Sequence, residues 1–246
     1  MANEETTHPD LNLGDGAPTW EEDEKLNPRI LIEGGTFQMG SGDDDPDATD
    51  LEKPQHSVTV SSFCIQEHSV TNEEYKRFDA SHVYDVGKER YPVVNVTWTE
   101  SLLYAQWLGC SLPTEAQWEF AARGTEGRKY PWRSEELTPE HANYNWNVGD
   151  TTPVGLYPKG ATPEGVHDLA GNVWDWCSDW YGPYTGNEQA DPGGPVNDTR
   201  ASAARGLRGG AFGDLPQFVR CAYRGRDDPG GRDYDIGFRV VAPVQS

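Results

Sequence analysis

The chain has 246 residues, enough for one large domain with its own core, and although only 35% are apolar it carries nine Trp, eleven Tyr and seven Phe. Disordered sequences lack such aromatic anchors, so the composition points to a loop-rich globular fold. A formal net charge of −21 argues against nucleic acid as a partner, because phosphate contacts need clustered Lys and Arg.

Residues 1–28 read as an acidic, flexible extension: Met1 to Glu24 holds eight carboxylates and no Lys or Arg. Its opening, MANEETTHPD, has neither the basic start nor the apolar run of a signal peptide, and nothing in the chain approaches the roughly 20 apolar residues of a membrane span. Cytoplasmic synthesis or carriage on a virion or phage particle is therefore expected, without membrane insertion. A single domain is expected over 29–246. It opens with RILIEGGTFQMGS, short alternating strands around Gly34 and Gly35. SGDDDPDATD (41–50) is expected to be a solvated acidic loop; it lacks the Gly and terminal Glu spacing of an EF-hand. HSVTVSSFCIQEHSV (56–70) alternates like an edge strand.

Three helices follow. Thr71 and Glu74 have the spacing of a capping box, with Tyr75 and Phe78 on one face of the helix they open. Leu103 and Trp107 lie four apart on a second helix. Thr114 and Gln117 repeat the capping-box spacing on a third, where Trp118 and Ala122 share a face. Beyond Arg123 the chain is turns and short irregular strands, rich in Gly, Pro and Trp, so the pattern predicts an α+β domain without internal repeats. Cys64, Cys110, Cys177 and Cys221 are widely spaced and read as free buried thiols. The six histidines form no HxxxH or HxH pair, and no GxSxG is present.

Eight segments in order are similar to the formylglycine-generating-enzyme-like (sulfatase-modifying factor) family: GGTFQMGS, HSVTNEEY, PVVNVTWTESLLYAQWL, LPTEAQWEFAARG, YPW, HDLAGNVWDWCSDWYG, LRGGAF and IGFRVV. The resemblance covers about Arg29 to Val241 and implies the C-type lectin fold in its formylglycine-generating subtype, with Trp174 as a core position. Catalytic members hold copper between two cysteines after the RGG turn. Those positions fall near Asp214 and Val219 here, and neither supplies the thiolate that soft Cu(I) requires. The iron-dependent sulfoxide-synthase branch uses three histidines in a preceding helical domain, for which this chain has no counterpart. Neither copper nor iron is expected. An enzyme of either branch with an altered active site is the alternative to a binding protein.

The segment from Arg220 to Val241, with Arg at 220, 224, 226, 232 and 239, resembles the variable region of diversity-generating-retroelement variable proteins, here about 211–239. In those proteins a template is copied with errors at adenines, so Asn codons AAC become NNC while framework Arg and Gly positions hold. The template's Asn positions carry Gly213, Asp214, Leu215, Phe218, Tyr223, Gly225, Asp227, Gly231, Asp233, Tyr234 and Asp235, every one a residue that NNC specifies. The five types that NNC cannot specify make up roughly a fifth of ordinary usage, so chance gives this result about one time in ten. Arg208 and the five later arginines suit a framework of planar, forked hydrogen bonds, which leaves the residues between them free to vary if they face solvent. The expected function is non-catalytic binding of a macromolecular ligand, a protein, through these eleven positions, with Leu215, Phe218, Tyr223, Asp227, Asp233 and Tyr234 exposed and Ile236 and Phe238 buried. The resemblance further implies a structural Ca²⁺ held by the carboxylates of Asp168 and Asp175 and the carbonyls of Gly171 and Val173, hard oxygen donors that suit that ion.

Overall fold

The structure, a computed structural model, describes residues 16, 18, 20–195 and 204–244. Three small sheets and three capped helices enclose the core. Strands β1 (Arg29–Ile32), β4 (Phe63–Gln66) and β10 (Val241–Pro243) form one antiparallel sheet in the order β1-β4-β10. Strands β2 (Gly35–Met39), β3 (His56–Val60) and β6 (Gln189–Ala190) form a second, in the order β2-β3-β6. The third follows the order β8-β7-β5-β9 and contains β5 (Trp174–Trp180), β7 (Arg205–Arg208), β8 (Arg224–Asp227) and β9 (Ile236–Gly237). Its strands β8 and β9 lie within the segment that varies in the resembling proteins.

The strands on either side of Gly34 belong to different sheets, so that turn is a crossing between sheets and not a hairpin. The expected edge strand over 56–70 is likewise two strands, each central in its sheet, because Ser61 and Ser62 break it. Alternation of apolar and polar residues shows which face of a strand is buried but cannot tell a central strand from an edge.

After a short helix α1 (Trp20–Glu24), the three longer helices α2 (Asn72–Phe78), α3 (Trp98–Trp107) and α4 (Glu115–Arg123) all start at capping boxes. Thr71 with Glu74 and Thr114 with Gln117 are the expected pairs, and Thr97 with Glu100 is a third with the same spacing. Helix α4 lies against β2, β3, β5 and β7 and buries Trp118 and Phe120 among Val58, Ile65 and Leu169. Tyr75, Phe78, Tyr104, Trp176 and Phe238 form a second buried cluster. On α3 it is Tyr104 and Ala105 that face inward, while Leu103 and Trp107 are only half-buried at the flank. Trp176, and not Trp174, is the fully buried indole of β5.

The domain starts earlier than residue 29. Asp23 is buried and pairs with Arg29 at 2.7 Å, and the buried Asn27 donates from Nδ2 to the His68 carbonyl at 3.1 Å. These anchors are polar, so no apolar periodicity marks them. The remainder of the expected extension, most of 1–19, lies outside the described residues. No helix among the described residues is long and apolar enough to cross a membrane.

Candidate binding surface

Four arginines of the C-terminal region are almost wholly buried: Arg208, Arg220, Arg224 and Arg239. Burying a guanidinium is costly unless every donor finds an acceptor, and here carboxylates on other elements meet them. Arg224 forks onto Glu115, with Nε and Nη2 both 2.7 Å from its two oxygens, and its Nη1 reaches the Gly182 carbonyl at 3.0 Å. Arg208 donates to Glu115 and Glu119, each at 2.9 Å, and to the Tyr184 hydroxyl at 2.8 Å. Burial alone would raise the Glu115 carboxyl, but Arg224 and Arg208 outweigh it and hold it below its usual range.

Arg220 forks onto the buried Glu52 at 2.9 and 2.8 Å and also bonds the Asp47 carbonyl at 2.8 Å. Asp45 contacts the same guanidinium at 3.2 Å, and Asp47 pairs with Lys129 at 2.8 Å. The acidic loop expected to be merely solvated is thus tied to the C-terminal segment. Arg226 and Arg232 are exposed: the first lies 4.9 Å over the Tyr181 ring, and the second pairs with Glu100 at 2.5 Å.

Residues from elsewhere in the chain fix the backbone between these arginines. Asn145 N–H donates to the Asp214 carbonyl, Asn95 N–H to Asp233, Trp98 N–H to Pro229 and Trp174 N–H to Asp235, at 2.8–3.1 Å. None of these bonds uses a side chain of the eleven positions. None of those eleven residues is buried. Leu215 (47%) and Tyr234 (54%) are exposed, whereas Phe218, Tyr223, Asp227 and Asp233 are half-buried. Ile236 and Phe238 are buried.

For Phe218 and Tyr223 the half-burial comes from aromatic rings covering one another. Phe218 packs on Tyr223 (4.8 Å between centroids), Tyr223 approaches Trp174 (6.1 Å), Trp146 meets Phe212 edge-on (5.1 Å) and Phe212 meets Tyr234 (5.9 Å). Trp146 is more than half exposed and came from outside the region singled out by sequence. It lies across Gly213: a Cβ there would sit 2.9 Å from the indole, and one on Gly225 would sit 2.9 Å from Trp174. Segments distant in sequence converge electrostatically as well. The Asp235 carboxyl is pushed up to about 6 by burial and then by Asp233, Asp214 and Asp227, and burial also raises Asp214.

The geometry around Asp168 and Asp175 does not fit the calcium site. Asp175 accepts from Ser69 Oγ at 3.0 Å, Trp118 Nε1 at 2.9 Å and Arg239 Nε at 2.7 Å, so a buried guanidinium already neutralises it. The Asp168 carboxylate accepts from Gly155 N–H at 2.7 Å, and its carbonyl accepts from Arg239 Nη2 at 3.0 Å. Gly171 and Val173 share this buried turn, where Gly171 is required: φ is +75° and a Cβ would fall 2.1 Å from the Asn143 carbonyl oxygen. A divalent cation beside Asp175 would be repelled by Arg239. Among the described residues no three His, Cys, Asp or Glu side chains are grouped to hold a metal ion.

Near where the resemblance would put the copper cysteines, Val219 is fully buried beside Tyr130, Trp132 and Tyr144, and Asp214 accepts from Ala211 N–H at 2.8 Å. Cys221 is enclosed, its thiol pushed up to about 12 by burial, and all four cysteines are free.

The model of the sulfatase-modifying factor enzyme 1-like domain matches residues 16–244. The chain belongs to this family. Its α+β architecture is the family's C-type lectin fold. This sulfatase-modifying-factor domain is 36% identical over 248 residues to serine/threonine-protein kinase Pkn1 of Chlamydia trachomatis, a match covering 89% of the chain but only 39% of the kinase. It is 31% identical over 286 residues to the formylglycine-generating enzyme of Streptomyces coelicolor, covering 87% of the chain and 88% of that enzyme. Among solved structures it is similar to Treponema denticola variable protein 1, with a TM-score of 0.74, 25% identity and coverage of 88% and 95% of the two chains. PvdO from Pseudomonas aeruginosa gives 0.71, 27%, 88% and 94%.

Proposed function

We propose that this domain is a non-catalytic ligand-binding module, the variable protein of a diversity-generating retroelement, which meets a protein ligand through residues 213–235. The observation that carries this reading is the division of labour in the C-terminal segment. Buried arginines and backbone hydrogen bonds hold its course, while the eleven exchangeable positions stay out of the core. A side chain exchanged at the exposed or half-buried Leu215, Phe218, Tyr223, Asp227, Asp233 and Tyr234 stays outside the close-packed interior, where one wrong volume costs about 1–5 kcal/mol. Tyr and Phe there provide contact area at low entropic cost, and Gly and Asp provide adaptability. The likeness to Treponema denticola variable protein 1 supports the same reading.

The alternative is an enzyme, favoured by identity to formylglycine-generating enzymes. Asp214 and Val219 weigh against that chemistry. Two experiments separate the readings. Sequencing the flanking DNA should find a reverse transcriptase gene and a near-copy of codons 211 to 239. Mass spectrometry of a cysteine-containing sulfatase-type peptide, incubated with the protein, copper and oxygen, should show no formylglycine. Turnover that disappears in Cys221→Ser would establish the enzyme instead.

A further inference from the structure

The chemistry of the aromatic face indicates the kind of partner it fits. Three of its exchangeable positions are aromatic, and fixed rings from Trp146, Phe212 and Trp174 pack with them. Trp146 and Tyr234 are each more than half exposed. Four of the eleven positions are Asp and none is basic. The arginines alongside do not neutralise these carboxylates: Arg226 rests on Tyr181, Arg232 is held by Glu100, and Arg220 and Arg224 are buried on other carboxylates. Beyond Tyr234 the face continues into a groove of about 470 Å³. The carboxylates of Asp79, Asp85, Glu100 and Asp150 line it; Lys88 pairs with Asp150 and Arg232 with Glu100, so Asp79 and Asp85 leave it with a net negative charge.

We infer that this face seats a basic segment of a partner protein, with Lys or Arg side chains set against the Trp146 and Tyr234 rings and the carboxylates of Asp214, Asp233 and Asp235. The inference rests on the binding reading above. A cation over an aromatic ring is attracted by the negative face of the π-system, and a charge-assisted hydrogen bond to a neighbouring carboxylate adds to that attraction. The Asp235 carboxyl is raised first by burial and then by Asp233, Asp214 and Asp227, and the repulsive part is relieved when a cation enters among these carboxylates. The chain's charge of −21 steers a basic partner toward it and repels an acidic one.

The test is selection of random dodecapeptides displayed on phage against the intact protein. Two variants accompany it, each confirmed as folded by circular dichroism. Asp214→Asn, Asp233→Asn and Asp235→Asn together neutralise the face; Glu33→Gln, Glu135→Gln and Glu188→Gln remove the same charge from exposed positions outside it. Peptides rich in Lys and Arg should be enriched, and their synthetic forms should bind the Asn variant about tenfold more weakly or worse, a loss of about 1.4 kcal/mol. The Gln variant should stay within about twofold of the parent. Enriched peptides that are acidic or uncharged, yet lose binding in the Asn variant, overturn the charge inference and leave the binding face standing. Equal weakening in both variants overturns it by assigning the effect to overall charge. Failure to enrich any peptide that distinguishes parent from Asn variant overturns the binding reading itself.

Discussion

Removing the carboxylate of Glu115 separates framework from face most sharply. That one side chain receives Arg208 Nε and both Arg224 Nε and Nη2, at 2.7–2.9 Å, and is itself buried. Glu115→Ala leaves two buried guanidiniums short of a counter-charge. Arg208 keeps Glu119 and Tyr184, but Arg224 keeps only two backbone carbonyls and the faces of the Tyr181 and Tyr184 rings, with no counter-charge. Breaking a buried ion pair by removing one partner costs about 3–5 kcal/mol. At about 2–4 °C per kcal/mol for a domain of this size, the melting temperature should fall by about 6–20 °C. Glu115→Gln keeps an acceptor without the charge and should fall between this variant and the parent. The comparison is a triple exchange on the face: Leu215→Ser, Asp227→Asn and Asp233→Asn. Each should stay within about ±0.5 kcal/mol, so the sum should move the midpoint by no more than about 3–6 °C. Scanning calorimetry or circular dichroism reads both. Equal losses, or a larger loss in the triple variant, would refute the division between a buried scaffold and an interchangeable face.

Trp176→Ala removes a fully buried indole and should cost about 3–5 kcal/mol in chemical denaturation, whereas the half-buried Trp174→Ala should cost clearly less. The Glu74 carboxyl is pushed up to about 7 by burial, against hydrogen bonds from Thr71. The folded state therefore keeps a proton that the unfolded chain releases from about pH 4.5, and the stability it contributes below that pH is lost as the pH rises through 7. Glu74→Gln, which retains the capping-box spacing, should gain about 2–4 kcal/mol relative to the parent between pH 4.5 and 8; a difference independent of pH would exclude this. The Cys221 thiol should react with Ellman's reagent only on unfolding, while the half-buried Cys64 reacts first in the native protein; rapid labelling that survives Cys64→Ala would contradict the burial of the other three.

The helices were legible because their signals are local. A Thr followed three residues later by Glu or Gln satisfies the first-turn N–H groups wherever it occurs. The C-terminal arginines were legible from spacing, but their partners Glu52, Glu115 and Glu119 were not, since the ion pairs cross more than 80 residues of sequence. Glu115 and Glu119, four apart on α4 beside Trp118, carry a faint signal: two acids flanking the buried stripe of a helix need a cation inside the fold. Sheet membership was hidden, because the same alternation serves both a hairpin and a crossing between sheets. Asp175 shows the limit of resemblance, for the motif supplied the acid but only the tertiary structure set Arg239 upon it. Trp146, at φ +60° in an irregular loop, belongs to the face through packing that no period encodes.

On the binding reading proposed above, Gly213 and Gly225 would give the face a wider range than its eleven positions suggest. Each lies directly under an indole that is not itself among the exchanged positions. Any side chain introduced at 213 must displace the ring of Trp146, and one at 225 must displace the ring of Trp174, because a first carbon atom already comes within 2.9 Å of each. A change at either codon is therefore transmitted to a large aromatic surface that keeps its identity but changes its attitude. Such positions work like the set-screws of an instrument: small themselves, they set the tilt of the Trp146 and Trp174 rings, and Tyr223, which packs near Trp174, would move with the latter.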